Sequence, residues 1–244
     1  MTEPRNDSVY DLPTRLFHWL FAGTFVAAFT IANVAEHSSA FPLHMLAGLM
    51  LAGLVIFRVL WGFMGTRYAR FDSFVLSPAR LLEYLKAVFV GGGRRWAGHN
   101  PASSWVALLM LGLATGLAIT GILMANGNRE AYEEVHELLA NAFLAVAILH
   151  VAGVVLHSLR HRDAFAMSMV DGRKQLDPEA TGSVRNRPVA ALVMLGAIVT
   201  FGGYLLRAYD PASGNLAVFG TSLQLTEADG AGEQDNEDED EDDD

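Results

Sequence analysis

Long, uninterrupted apolar runs are the feature that most limits how this chain can fold. Five of them have about the length that crosses the hydrocarbon core of a bilayer, and they cover residues 15–35, 42–64, 103–125, 134–158 and 189–207. A backbone in lipid must satisfy its own hydrogen bonds, so continuous runs of this length predict helices. Hydrophobic residues make up 52% of the 244-residue chain. We therefore predict an all-α integral membrane protein.

Basic residues in the connecting segments predict the orientation of the chain, because cytoplasmic segments carry an excess of Lys and Arg. Two connections are strongly basic, and they hold Arg67, Arg70, Arg80, Lys86, Arg94 and Arg95, then Arg160, Arg162, Arg173, Lys174, Arg185 and Arg187. The connections on the other side, 36–41 and 126–133, hold only Arg129. We expect a multi-pass protein of a bacterial inner membrane, with a cytoplasmic N-terminus and a periplasmic C-terminus.

The acidic charge of the chain lies mostly in its last residues. Twelve of the 27 acidic residues fall between Glu227 and Asp244, which leaves 15 acidic against 17 basic residues elsewhere. This composition predicts a disordered, solvated tail. The tail either keeps the protein soluble or attracts a basic partner. Before it, residues 208–226 are predicted to form a linker, since Pro211 and Gly214 argue against a sixth membrane-spanning helix.

Histidine is the candidate metal ligand in this chain. The absence of cysteine excludes disulfides, thiolate metal sites, iron–sulfur clusters and covalently attached c-type haem. Three of the eight histidines, His37, His99 and His161, fall in or beside loops and are predicted to be surface residues. The other five lie within apolar runs, where an ionisable side chain is a functional candidate.

Four of these histidines are predicted to form two pairs. His136 and His150 are 14 residues apart, which on a helix is about 21 Å along one face. In an alternating topology His18 lies at the level of His150, and His44 lies at the level of His136. Zinc prefers three or four converging ligands, whereas two facing imidazoles suit the iron of a haem that has no covalent link. Two pairs therefore predict two b haems.

Other residues support this interpretation less directly. Arg58 lies 14 residues after His44 and is predicted either to bind a haem propionate or to extend to the membrane surface. Small residues admit a flat cofactor or a close helix, and both roles remain open for Gly48, Gly53, Gly112, Gly116 and Gly121. His157 could replace His150 as a ligand, line a quinone site, or reach the lipid headgroups.

Three motifs make the chain similar to a known family. They are VYDLPTRLFHWL from residue 9, HMLAGLMLAGLVIFRVLWGFMGTRYARF from residue 44, and HELLANAFLAVAILHVAGVVLHSLRHRD from residue 136. The sequence resembles the bacterial cytochrome b561 and nickel–iron hydrogenase b-type cytochrome subunits over about residues 9–175.

The resemblance implies a four-helix transmembrane bundle that holds two b haems, with His18, His44, His136 and His150 as axial ligands. It also implies electron transfer between quinone and a redox protein at the outer face, such as a c-type cytochrome or a hydrogenase or oxidoreductase subunit. Arg15 and His157 are candidates for a quinone site near His18. The expected partners are thus membrane lipid, quinone and that redox protein, with no nucleic acid.

The predicted organisation has three parts. Residues 1–175 form the four-helix domain, 176–210 hold the fifth transmembrane helix, and 211–244 form the linker and tail.

Two other functions are alternatives to this interpretation. A superoxide:quinone oxidoreductase of the cytochrome b561 type would have to attract an anion past the acidic tail. A proton-coupled transporter would more often show acidic residues within its spans and repeated topology. No repeat is evident, and Glu133, Glu134 and Glu137 cluster at the start of one helix, where the helix dipole favours them.

Overall fold

The computed structural model describes residues 5–35, 38–90, 96–161, 165–176 and 183–225. Its helices are α1 (Leu12–Val34), α2 (Phe41–Met64), α3 (Pro78–Val90), α4 (Pro101–Leu123), α5 (Arg129–His161), α6 (Ser168–Asp171) and α7 (Pro188–Ala208). Four apolar helical stretches within these ranges are long enough to span a membrane, and the third of them, Pro101–Leu159, contains both α4 and α5. The prediction of a helical membrane protein is confirmed.

Helix starts follow the local sequence. Asp11 precedes α1, and its Oδ1 accepts a hydrogen bond of 2.9 Å from the backbone N–H of Thr14. Asn100 caps α4 in the same way, since its Oδ1 accepts a hydrogen bond of 2.7 Å from the backbone N–H of Ser103. A proline stands in the first turn of α1, α2, α4 and α7, where its missing N–H costs nothing. Four of the five long apolar runs therefore begin at a defined residue.

A tight turn joins α4 to α5. Asn126 and Gly127 leave helical geometry, and Gly127 has a φ of 90°, which glycine adopts without strain. After this turn the two helices run antiparallel. A Cβ at Gly121 would lie 3.5 Å from His136, and one at Gly116 would lie 3.0 Å from a methyl group of Leu139. The turn thus brings the end of α4 beside the start of α5.

Four helices share one buried core. Phe25 of α1, Val55 of α2, Ala114 of α4 and Phe143 of α5 pack together, and Phe143 is only 1% exposed. Many large apolar side chains point outward instead, among them Val26, Ile56, Leu109, Leu138, Leu149 and Val155. An apolar outer surface around a packed interior is what lipid requires. These four helices form a transmembrane bundle.

The fifth apolar helix, α7, packs on the outside of this bundle. A Cβ at Gly53 of α2 would lie 3.2 Å from the ring of Phe201 in α7. One turn away along α2, Met50 Sδ lies 3.4 Å from the corresponding position at Gly202. Small residues on both helices therefore allow close packing.

Two small antiparallel sheets cover opposite ends of the bundle. Strand β1 (Arg5–Ser8) pairs with β2 (Arg173–Leu176), so the start of the chain meets the segment that follows α5. Strands β3 (Tyr209–Asp210), β4 (Asn215–Val218) and β5 (Thr221–Gln224) form a three-stranded sheet directly after α7.

The three-stranded sheet corrects the prediction of a linker over 208–226. Pro211 and Gly214 lie in the turn between β3 and β4, where Asp210 accepts hydrogen bonds from the N–H of Ala212 and the hydroxyl of Ser213. Alternate residues beyond this turn are buried, namely Leu216, Val218, Leu223 and Leu225. These residues give the sheet an apolar face that packs against the bundle. The acidic tail from 227 onward lies outside the described residues.

Candidate metal centre

The structure brings the four predicted ligands together in two pairs. The ring centres of His18 and His150 lie 6.4 Å apart, and those of His44 and His136 lie 6.3 Å apart. All four side chains are half-buried. His18 lies near the end of the bundle where β1 and β2 pair, and His44 begins α2 at the opposite end. We call them the first pair and the second pair.

The separation within each pair matches a metal held between two imidazoles. An imidazole nitrogen binds a first-row metal at about 2 Å. Because the ring centre lies about 1 Å behind that nitrogen, two opposed rings with one metal ion between them have centres about 6 Å apart. Within the described ranges, no group of three or more His, Cys, Asp and Glu side chains could hold a metal. The donor set is therefore two-coordinate and suits axial ligation.

Hydrogen bonds orient both rings of the second pair. Nδ1 of His44 lies 2.9 Å from the carbonyl oxygen of Ala28, which can only accept, so Nδ1 carries the proton. Nδ1 of His136 lies 2.8 Å from Oγ1 of Thr120. The hydroxyl of Thr120 donates to the carbonyl of Gly116 at 2.9 Å and hence accepts from His136. Both rings keep their Nε2 lone pair for a metal, as metal-binding histidines do.

A cavity of about 560 Å³ lies beside the second pair, between α1, α2, α4 and α5. Its volume is within the usual range for small-molecule and cofactor sites, and its walls are mostly apolar. Phe25, Phe29, Leu117 and Phe143 line it together with His44 and His136. At its rim are Arg129 and Glu133, whose side chains form an ion pair of 2.8 Å.

Four of the five predicted glycines divide into two groups, whereas Gly112 has no atom within 4 Å of its Cβ position and does not line the cavity. Gly48 and Gly121 line the cavity, and a Cβ at Gly48 would meet nothing within 4 Å. Gly53 and Gly116 instead face side chains of neighbouring helices, at 3.2 Å and 3.0 Å from their Cβ positions. Gly48 and Gly121 therefore face the cavity, whereas Gly53 and Gly116 allow close helix packing.

Arg58 is enclosed by protein near the first pair. It is 9% exposed, and its guanidinium carbon lies 5.0 Å from the ring centre of Phe71 and 5.8 Å from that of Phe74. Its Nη1 is buried without a hydrogen-bond partner among the described residues. A buried guanidinium nitrogen of this kind requires an anionic acceptor.

His99 corrects the prediction of a surface residue. It precedes α4, and its ring centre lies 4.6 Å from that of Phe74 and 6.0 Å from that of Tyr10. Nδ1 is buried and has no hydrogen-bond partner in the described part of the chain. Burial, followed by the charges of Lys174, Arg58 and His150, lowers the pKa of His99 to about 3. The ring is therefore neutral at physiological pH.

Arg15 and His157, the candidates for a quinone site, lie on α1 and α5. The guanidinium of Arg15 donates to the carbonyl of Val170 and to Oδ1 of Asn186, so it holds the segments that follow α5 against α1. His157 is half-buried on α5, two turns beyond His150. His37 and the side chain of His161 lie outside the described residues.

Comparison with known proteins shows which family the chain belongs to. The sequence model for prokaryotic cytochrome b561 matches residues 9–172, which contain all four paired histidines. The chain belongs to the prokaryotic cytochrome b561 family. It is also 25% identical to a probable Ni/Fe-hydrogenase B-type cytochrome subunit of Rhizobium leguminosarum bv. viciae, over 68% of this chain and 87% of that protein. No solved structure matches it.

Membership of this cytochrome b561 family confirms the resemblance carried by the three sequence motifs. The chain is a multi-pass membrane b-type cytochrome that takes part in electron transfer, and haem b is its cofactor. The matched range ends at Gly172. Helix α7 and the three-stranded sheet therefore lie outside the part shared with the family.

Proposed function

We propose that this protein carries two b haems and moves electrons across the membrane between the quinone pool and a redox protein at the outer face. The observation that carries the proposal is the presence of two histidine pairs, one towards each end of the same bundle. Both pairs have the ring separation that a metal between two imidazoles requires. Two sites at different depths are what transfer across a membrane needs.

The proposed haem ligands and the groups that orient them come from four helices, α1, α2, α4 and α5. His18 of α1 and His150 of α5 would hold the inner haem, while His44 of α2 and His136 of α5 would hold the outer one. When bound, each haem iron supplies one-electron chemistry between its ferric and ferrous states. Thr120 and the carbonyl of Ala28 fix the outer ligand rings in the tautomer that leaves Nε2 available.

Arg58 would bind a propionate of the inner haem. Its buried Nη1 lacks a partner, and a carboxylate is the anion whose geometry a guanidinium matches best. The neutral ring of His99 packs beside it against Phe74. The same face of the bundle would admit quinone, with Arg15 and His157 as the candidate residues.

The orientation follows from the charges of the connections. With the N-terminus and the basic connections in the cytoplasm of a bacterial inner membrane, His18 is the inner ligand and His44 is the outer one. The partner at the outer face is then a periplasmic protein, either a c-type cytochrome or a subunit of a hydrogenase or another oxidoreductase. The Rhizobium relative, described as a hydrogenase cytochrome subunit, supports the second possibility.

The proposal is tested on the full-length protein purified from membranes. We expect a Soret band, α bands that appear on reduction with dithionite, and two haems per chain. His44→Ala and His136→Ala should each remove the outer haem, and His18→Ala and His150→Ala the inner one. His157→Ala is the matched control on α5 and should keep both.

Two results would contradict the proposal. A folded protein that is colourless when expressed with excess haem would show that the histidine pairs serve another purpose. Loss of the inner haem in His157→Ala together with its retention in His150→Ala would move the ligand two turns along α5.

A further inference from the structure

The cavity beside the second histidine pair has a wall that the four-helix bundle does not supply. Leu223, Gln224 and Leu225 line it together with His44 and His136. These three residues lie in and directly after β5, more than fifty positions beyond the range that matches the family. A segment from outside the shared core thus completes the cavity.

The three-stranded sheet is fixed in this position by apolar packing. Leu225 is 1% exposed and Leu216 is fully buried. They belong to a cluster that also contains Leu46 of α2, Ala125 of the α4–α5 turn and Leu205 of α7. Burial of these apolar side chains stabilises the packed position of the sheet.

Hydrogen bonds also hold the three-stranded sheet in place. The N–H of Leu225 donates to the carbonyl of Gly214 at 2.8 Å. The phenol of Tyr204 in α7 lies 3.4 Å from the carbonyl of Ala217 and 3.3 Å from the N–H of Phe219. The sheet is therefore tied both to its own turn and to the neighbouring helix.

An apolar wall changes the chemistry of a metal centre behind it. Excluding water from a site lowers the local dielectric constant, and this disfavours whichever oxidation state carries more charge. For a haem iron that state is ferric, so a closed wall raises the reduction potential. The same wall keeps small molecules away from the iron.

We propose that the sheet formed by β3, β4 and β5 is part of the outer haem site, where it shields the haem from water and keeps its potential high. The proposal rests on the proposed function, since it requires a haem between His44 and His136. It extends that site to Leu223 and Leu225, which no family motif contains.

Two truncated proteins separate the sheet from the acidic tail. One ends at Thr226 and keeps the sheet, and the other ends at Ala208 and lacks it. Redox titration followed at the α bands gives one midpoint potential for each haem, and the haem that His44→Ala removes is the outer one. We expect the protein that ends at Thr226 to match the full-length chain. The protein that ends at Ala208 should show a lower potential for the outer haem, or lose it, with the inner haem unchanged.

Point variants keep the test decisive if the shorter protein does not assemble. Leu223→Ala with Leu225→Ala thins the wall while keeping the strand, and it should lower the potential of the outer haem alone. Phe219→Ala is the control, because Phe219 lies in the turn between β4 and β5, is 84% exposed and does not line the cavity. It should leave both potentials unchanged.

The outcomes distinguish the two proposals. Equal potentials in the Leu223→Ala, Leu225→Ala protein and in the full-length chain would overturn the role of the sheet and leave the two-haem function standing. A parallel change at both haems would also overturn it, since this would indicate a general effect on the fold. A full-length protein without haem would overturn the proposed function itself.

Discussion

At the scale of single residues, one hydroxyl group decides the state of a candidate metal ligand. Oγ1 of Thr120 accepts from Nδ1 of His136 at 2.8 Å and donates to the carbonyl of Gly116 at 2.9 Å. Because the hydroxyl proton is committed to that carbonyl, the imidazole must supply the other one. The ring is thereby held with Nε2 unprotonated, which is the form that binds a metal.

Replacing Thr120 with Val should weaken the outer haem site. The methyl group keeps the volume but removes the acceptor, and loss of such a partner usually lowers metal affinity about 10- to 100-fold. The measurement is the rate at which haem transfers from the purified protein to excess apomyoglobin. Thr115→Val is the matched control, because the hydroxyl of Thr115 bonds, among the residues that the structure describes, to the carbonyl of Leu111 on the same helix. Equal rates in both variants would contradict the role of Thr120.

Residue spacing predicted the four histidines but not their surroundings. His136 and His150 could be related from the repeat of a helix, and topology then identified the partner of each. Thr120 and His99 could not be found in this way. Their contacts depend on the relative rotation of packed helices and on how the segment before α4 folds back, and neither leaves a periodic signal. The Asn100–Pro101 start of α4 was the available hint that His99 lies beside the bundle.

At the scale of helices, the cavity is widened by glycines at positions where α2 and α4 face it. Gly48 lines the cavity, and a Cβ there would meet no atom within 4 Å. Gly121 stands opposite, beside His136. Helices that needed only to pack together would fill such a gap, since protein interiors contain few voids larger than a water molecule. The empty volume is thus a property of the paired helix surfaces.

Gly48→Leu should remove the outer haem and leave the bundle intact. The leucine side chain would occupy the cavity, and in a helix leucine is favoured over glycine by about 0.5–1 kcal/mol. We expect one haem per chain by pyridine haemochromogen assay, with helical content by circular dichroism unchanged. Gly23→Leu is the control on α1, because Gly23 is exposed and also has no atom near its Cβ position. Retention of both haems in Gly48→Leu would show that the cavity is not the cofactor site.

The extents of the helices were largely predictable, and those of the strands were not. The apolar run at 189–207 corresponds to the helix Pro188–Ala208, and the run at 42–64 corresponds to Phe41–Met64. The agreement is close because proline and apolar periodicity define the limits of these helices. Helix α5 begins five residues before its apolar run, where Glu130 lies in the first turn and suits the helix dipole. The strands β4 and β5 have four residues each, and their stability comes from docking on Leu46 and Leu205.

At the scale of the whole molecule, the acidic residues of the tail follow directly in sequence after the apolar residues of the three-stranded sheet. The described residues end at Leu225, which lines the cavity beside the second histidine pair. The twelve acidic residues of the tail follow within the next nineteen positions. A dense negative charge therefore starts from the end of the bundle at which the outer haem is proposed. Such a charge accelerates the encounter with a positively charged protein.

Deleting residues 227–244 should slow electron transfer to a basic redox partner. At low ionic strength we expect the bimolecular rate constant to fall by about tenfold or more. The difference should shrink towards 0.15 M salt, where charges more than about 8 Å apart are screened. Stopped-flow oxidation of the reduced protein by a basic c-type cytochrome measures this. A variant with every tail Asp and Glu changed to Asn and Gln keeps the length and should behave like the deletion. Unchanged rates at low salt would leave the tail with a solubilising role.

The pairing of β1 with β2, and the wall formed after α7, also set an order of assembly during synthesis. Strand β1 is made first, yet it has no partner until residue 176 has left the ribosome. His44 is made early, yet its cavity gains its last wall only with Leu225. At roughly 5–20 residues per second, this delay is on the order of ten seconds. A cofactor that needs the complete cavity can therefore be held only once translation has nearly finished.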